Sequence, residues 1–148
     1  MDSNEYLDRI ARESQKQTEH LQRIAELQKS ILAVDPRSIG FDVFSLVGLL
    51  ATPICVKNGA GLLFGFWTFN SGTANAFLKF YNYGNPPAVG TASAMLTMGA
   101  PAGSGAIPVN PIGVPFSNGL WVAATTGAPY TDTTAPGANE ITVAVFYK

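Results

Sequence analysis

Ile141-Thr142-Val143-Ala144-Val145-Phe146-Tyr147-Lys148 closes the chain and alternates strictly. Ile141, Val143, Val145 and Tyr147 fall on one side, Thr142, Ala144, Phe146 and Lys148 on the other. Period-two alternation with β-branched residues is the mark of a half-buried strand. Working back along the chain, Leu62-Leu63-Phe64-Gly65-Phe66-Trp67-Thr68-Phe69 is apolar on both sides. Such a strand is either covered on both faces or has one face in a subunit interface.

Further strands are expected at Phe41–Leu50, Ile54–Lys57, Ala76–Tyr83, Ala92–Met98 and Leu120–Thr125, with Leu62–Asn70 and Ile141–Tyr147 completing the set. Breaks at Asn58-Gly59, Ser71-Gly72, Gly84-Asn85-Pro86-Pro87, Pro101-Ala102-Gly103, Asn118-Gly119 and Thr126-Gly127 separate them. Short strands with regular glycine and proline punctuation predict an antiparallel β-sandwich or jelly-roll-like domain. Gly99 to Phe116 carries Pro101, Pro108, Pro111 and Pro115. Proline cannot donate to a ladder, so this stretch is expected as an extended arm, a sheet edge or a loop across the sandwich end.

The composition breaks near residue 37. Residues 1–37 hold thirteen of the nineteen charged side chains, while all fifteen glycines, nine of ten prolines and fifteen of sixteen aromatics follow. Two units are expected, 1–37 and 38–148, joined near Asp35-Pro36-Arg37. The first reads as an α-helix: Asp2 or Ser3 can cap it, and Glu5 stands in capping-box spacing to Asp2. Neither glycine nor proline interrupts Ser3 to Val34. Leu7, Ile10, Leu21, Ile24 and Ile31 fall on one heptad seam, with Leu27 beside it, and Ser14, Gln17 and Gln28 leave polar gaps. So narrow a stripe suits a coiled coil or a helix in a partner's groove, the alternative being a helix laid along its own β-domain. At about 1.5 Å per residue the helix would span roughly 45 Å. Leu7, Ile10, Leu21, Ile24, Leu27 and Ile31 are the expected oligomer or partner interface.

Little in the chain points to chemistry. One histidine and one cysteine make no Cys/His zinc site, and His20 belongs to the helical segment, away from any serine of the β-domain. Asp42, Asp132 and Glu140 are the β-domain's carboxylates, and no spacing pairs two of them for glycoside hydrolysis. Gly99-Ala-Pro-Ala-Gly-Ser-Gly lacks the lysine and the strand-to-helix context of a phosphate loop and reads as a turn. Cys55 reads as a buried small hydrophobe. The net charge of −1 argues against nucleic acid. Val43 to Val56 holds Pro53 and is too short for the roughly 20 residues of a membrane span. The acidic start, Met1-Asp2-Ser3-Asn4-Glu5, is unlike a signal peptide, so a cytoplasmic site of synthesis is expected. Trp67, Trp121, Tyr81, Tyr83 and Tyr130 are candidates for sugar stacking, with core packing the commoner fate. No catalytic residue, metal or cofactor is expected.

The turn and core pattern Gly61-Leu-Leu-Phe-Gly-Phe, Asn75-Ala-Phe-Leu-Lys-Phe-Tyr-Asn, Gly113-Val-Pro-Phe-Ser-Asn-Gly-Leu-Trp-Val-Ala-Ala-Thr and Thr133-Thr-Ala-Pro-Gly-Ala-Asn resembles the β-sandwich domain of small virion proteins of tailed phages. The resemblance covers roughly the last 90 residues. It implies a non-enzymatic structural protein, either a capsid cement or decoration protein or a knob of a head or tail fibre, commonly a homotrimer. It implies partners in the major capsid protein or another virion protein, a location in the virion, and a host surface glycan as ligand in the fibre reading. A carbohydrate-active or lectin-like module is the alternative of another class.

Overall fold

The structure is a computed structural model and describes residues 12–24, 26 and 40–148. The chain divides into two units, Met1–Gly40 and Phe41–Lys148. In the first, residues 12–24 form a helix, α1. In the second, nine strands are described: β1 (Asp42–Val47), β2 (Ile54–Asn58), β3 (Gly61–Asn70), β4 (Ala76–Asn82), β5 (Leu96–Ala100), β6 (Ser104–Ala106), β7 (Val109–Phe116), β8 (Gly119–Thr125) and β9 (Ile141–Tyr147). They form two antiparallel sheets. One has the order β1-β9-β3-β6, with β7 also on β3, and the other the order β2-β8-β4-β5.

The pairing is nested. Strand β4 pairs with β5, β3 with β6 and β7, β2 with β8, and β1 with β9. The first strand of the unit therefore closes on the last. Alternating side chains make one core from the facing sides of the two sheets. Phe66, Val143 and Val145 come from one sheet, Leu78, Phe80 and Val122 from the other, all buried. Phe66 and Phe80 meet across the core with ring centroids 4.9 Å apart, within the favourable range for aromatic pairs.

Most of the expected strands lie where the sequence puts them, and the deviations have local causes. Strand β1 stops at Val47 rather than Leu50, because Gly48 turns in the left-handed region (φ 81°) and the amides of Gly48 and Leu49 both donate to the Ile141 carbonyl. The fifth strand begins at Leu96 rather than Ala92, since the amides of Thr91 and Ala92 both bond back to the Ala88 carbonyl. The proline-rich stretch is a sheet edge, not an arm or a plain loop: β6 pairs with Thr68–Asn70 and β7 with Gly61–Gly65 on one side of β3. Gly99 and Gly105 accordingly lie in β5 and β6, and the turn is confined to the residues between those strands.

Two irregularities matter below. Pairing of β3 shifts between Leu63 and Gly65 on both sides, so Phe64 is a bulge residue. Opposite it, Leu63 pairs with Val114 and Gly65 with Val109, leaving Asn110-Pro111-Ile112-Gly113 looped out of the ladder. Asn110 Oδ1 accepts the Ile112 amide at 3.1 Å, and Gly113 takes a left-handed φ of 80° to return the chain.

Phe80 fills the contact between the sheets, so Phe80→Ala is expected to destabilise the unit by about 3–5 kcal/mol, read as a lowered urea midpoint with an unchanged slope.

Candidate functional site

Three places in the β-unit hold unusual arrangements of side chains. The first is the outer side of the sheet containing β3. Its register lays out three rows across β1, β9 and β3: Val43, Phe146 and Gly65; Ser45, Ala144 and Trp67; Val47, Thr142 and Phe69. None of these nine residues is charged. Phe41 extends the surface, its ring 5.3 Å from that of Phe146 and 6.4 Å from that of Phe64. Beyond Phe69 stands Gly105 of β6. Val47 is 63% exposed, Val43 55%, Phe41 54% and Phe69 39%. Together these side chains present apolar surface on the order of several hundred Å², near the top of the range for a monomer without a partner. The stretch Leu62–Phe69 is thus resolved: one face is in the core and the other is open.

The second place is the outer side of the opposite sheet, and over the middle of β4 and β8 it is closed. Lys79 alternates with the core residues Leu78 and Phe80, so it points away from the core, yet it is fully buried. The β8–β9 connection crosses it. Lys79 Nζ donates to the Pro129 carbonyl at 2.7 Å and the Asp132 carbonyl at 3.0 Å. Burial lowers the pKa of the Lys79 ammonium from its ordinary value, and the charge of Asp132 opposes that shift. The carboxylate of Asp132 accepts the Gly127 amide at 2.8 Å and the Thr134 hydroxyl at 3.0 Å. The Gly127 bond is the largest of the effects holding that carboxyl below the usual carboxylate value of 3.8. Beside Lys79, Tyr81 is fully buried and its hydroxyl has no hydrogen-bond partner among the described residues. Burial, with Tyr83 adding, pushes its pKa up.

The third is an apolar cavity of about 230 Å³ where β3, β5 and β7 meet, lined mainly by Leu63, Phe66, Leu96, Met98, Val109 and Val114. It opens beside the looped-out residues of β7. Ile112 at the tip of that loop is 85% exposed, and Ile107 and Val109 are each 64% exposed.

The expected interface on the helix is described in part. Leu21 and Ile24, three residues apart on α1, are 67% and 47% exposed. Leu7, Ile10, Leu27 and Ile31 lie outside the described residues. His20 is exposed on the same helix. Among the described residues no three histidine, cysteine, aspartate or glutamate side chains gather as metal ligands. Asp132 and Glu140 each bind a backbone amide of their own loop, Gly127 and Gly137 respectively. No described helix is long and apolar enough to cross a membrane. Cys55 corrects its sequence reading: it is half-buried rather than buried, pairs with Trp121 across strands, and its thiol donates to Asn58 Oδ1 at 3.3 Å. Of the aromatics weighed for stacking, Tyr81 is buried, and the Trp121 indole N–H is tied to the Tyr83 carbonyl at 2.8 Å. Tyr130 is exposed on the β8–β9 connection.

Sequence reasoning missed the closed face and the cavity. Lys79 finds its partners among backbone carbonyls some 50 residues away, which no side-chain motif announces. A lysine inside the apolar run Ala76–Tyr81 was the available signal. No protein-family model, curated protein or solved structure matches the chain.

Two expectations test the closed face. Tyr81→Phe removes a buried hydroxyl that gains no hydrogen bond and is expected to leave stability unchanged or raise it by about 1 kcal/mol in urea denaturation. The depressed pKa of Asp132 contributes stability above 3.8 that is lost as pH falls through the lower folded-state value. Asp132→Asn should therefore flatten the fall in urea midpoint as the pH is lowered below about 4.

Proposed function

We propose that this chain is a non-enzymatic structural protein of a virion, most economically a capsid cement or decoration protein that works by protein–protein contact. The observation that carries the reading is the uncharged, aromatic outer face of the β1-β9-β3 sheet. Soluble monomers seldom leave such a surface uncovered, and burying it contributes about 25 cal/mol per Å² less the cost of association. The nested strand order supports a jelly-roll wrap for the sandwich, an architecture that viral capsid domains use. On a shell, many copies of a modest contact act together, so avidity multiplies what one copy supplies.

In this reading the β-unit lies on the shell by its open face, against the major capsid protein or another virion protein. The seam of Leu7, Ile10, Leu21, Ile24, Leu27 and Ile31 joins copies as a coiled coil or clamps a neighbour, with a homotrimer as the expected state. The closed face, pinned by Lys79, turns outward. No cofactor, metal, nucleic acid or membrane enters the mechanism. A second reading, a fibre knob that binds a host surface glycan, is favoured by the exposed Tyr130 on a loop of the closed face.

Mass spectrometry of purified particles that encode the chain tests the proposal. The chain is expected at a copy number that is a simple fraction or multiple of the capsid subunits. The double variant Val47→Lys, Phe69→Lys is expected to keep its far-ultraviolet circular dichroism and be lost from the particles. Incorporation of that variant at the wild-type level would remove the open face from the mechanism. Absence of the wild-type chain from particles would remove the virion reading.

A further inference from the structure

Natural sheet edges discourage pairing with charges, above all lysine, or with prolines and very short strands. The edge formed by β6 and β7 uses prolines and a short strand, and no charge. From Gly99 to Phe116 there is not one charged side chain. Ile107, Val109 and Ile112 stand out from it into solvent. At the same time Pro108, Pro111 and Pro115 remove backbone donors along the same edge, so a neighbour cannot extend the sheet by an ordinary ladder. What the edge offers instead is side-chain relief.

That relief has two halves. Ile112 projects at the tip of the Asn110–Gly113 loop, held there by the Asn110 to Ile112 turn and by Gly113. The apolar cavity of about 230 Å³ opens next to the base of that loop. Apolar cavities of about 150 Å³ lined by leucine and phenylalanine stay dry and accept molecules of benzene size, so this one has room for an isoleucine side chain.

We propose that this edge is a self-association site, in which Ile112 of one copy seats in the cavity of a second copy between Leu96 and Met98 on one side and Leu63 and Val114 on the other. The occupant is a second copy because one chain carries both the projection and the recess, on one uncharged edge, so approaching copies meet no like-charge repulsion. Contacts of this kind repeat from copy to copy, closing on themselves or continuing as the symmetry dictates. The site borders the open sheet face, sharing Phe64 and Gly65 with it, and does not rest on the virion reading.

The test uses the full chain with Cys55→Ser as background. One pool carries Ile112→Cys and another Met98→Cys, and the two are mixed and oxidised. A covalent dimer on a non-reducing gel is expected, in at least about tenfold excess over a mixture of Met98→Cys with Thr131→Cys, whose exposed position lies on the loop over the closed face. In parallel, sedimentation of Ile112→Asp against concentration is expected to show self-association weakened by about 10- to 100-fold, the equivalent of burying one large aliphatic side chain. Ile112 is too exposed for that substitution to unfold its own chain. No excess of the mixed dimer, with either Met98→Cys or the neighbouring Leu96→Cys, overturns the proposal. So does unchanged association of Ile112→Asp. Either result leaves the incorporation of the chain into particles, and the effect of the Val47 and Phe69 variant on it, to stand or fall by themselves.

Discussion

Strand β3 imposes the constraint on which the rest of the molecule depends. Its ten residues carry large apolar side chains on both sides, and a core between two sheets can take only one of them. Leu63, Phe66 and Thr68 go inward and are buried; Phe64, Trp67 and Phe69 are left outside. The strand is also the most heavily paired, with β9 along one side and β6 and β7 sharing the other. It cannot rotate its apolar sides without losing those ladders, since a one-residue slip exchanges every side chain between faces. The bulge at Phe64 adjusts where that exchange falls, and sets both the aromatic group with Phe41 and Phe146 and the gap that becomes the cavity.

The two outer faces answer this constraint differently. On the β2-β8-β4-β5 sheet, residues 126–140 fold back, and the outward-pointing Lys79, Tyr81, Ala123 and Thr125 are all fully buried. A lysine there would be costly without partners, and the two carbonyls of Pro129 and Asp132 supply them. The fold thus spends a long connection, a carboxylate and a buried ammonium to seal a face that is in part polar. The other face, wholly uncharged across its three rows, receives no such cover among the described residues.

Much of this architecture was legible from periodicity. Strands β3, β4, β8 and β9 are runs whose alternation or apolar density leaves few alternatives, and each lies within a residue or so of its expected bounds. The edge was harder. Pro108, Pro111 and Pro115 argue correctly against an interior strand, but they hide β7, because pairing there needs only the donors that the prolines leave in place. The limits of β1 and β5 were set by Gly48 and by the Ala88 carbonyl, which act through backbone hydrogen bonds that side-chain patterns do not record. The open face was visible as an ambiguity, either covered twice or an interface; the choice needed the register of β1 and β9. The cavity had no trace in the sequence, since its walls are brought together from three separate strands by the fold.

The contact role proposed for this unit draws on the asymmetry between its two faces. Active sites gather titratable groups with shifted proton affinities in a cleft. Here the strongly placed titratable groups, Lys79 and Asp132, are committed to holding a loop, and the recess is apolar. The exposed surface is instead made of groups whose energy is realised when water leaves: phenylalanine, tryptophan, valine and isoleucine on rigid strands and one constrained loop. Rigid strands lose little conformational freedom on binding, which lets a contact of modest area hold. In the proposed role, the sheet that is sealed on one side and apolar on the other lies between water and a protein surface, and its edge meets another copy of itself.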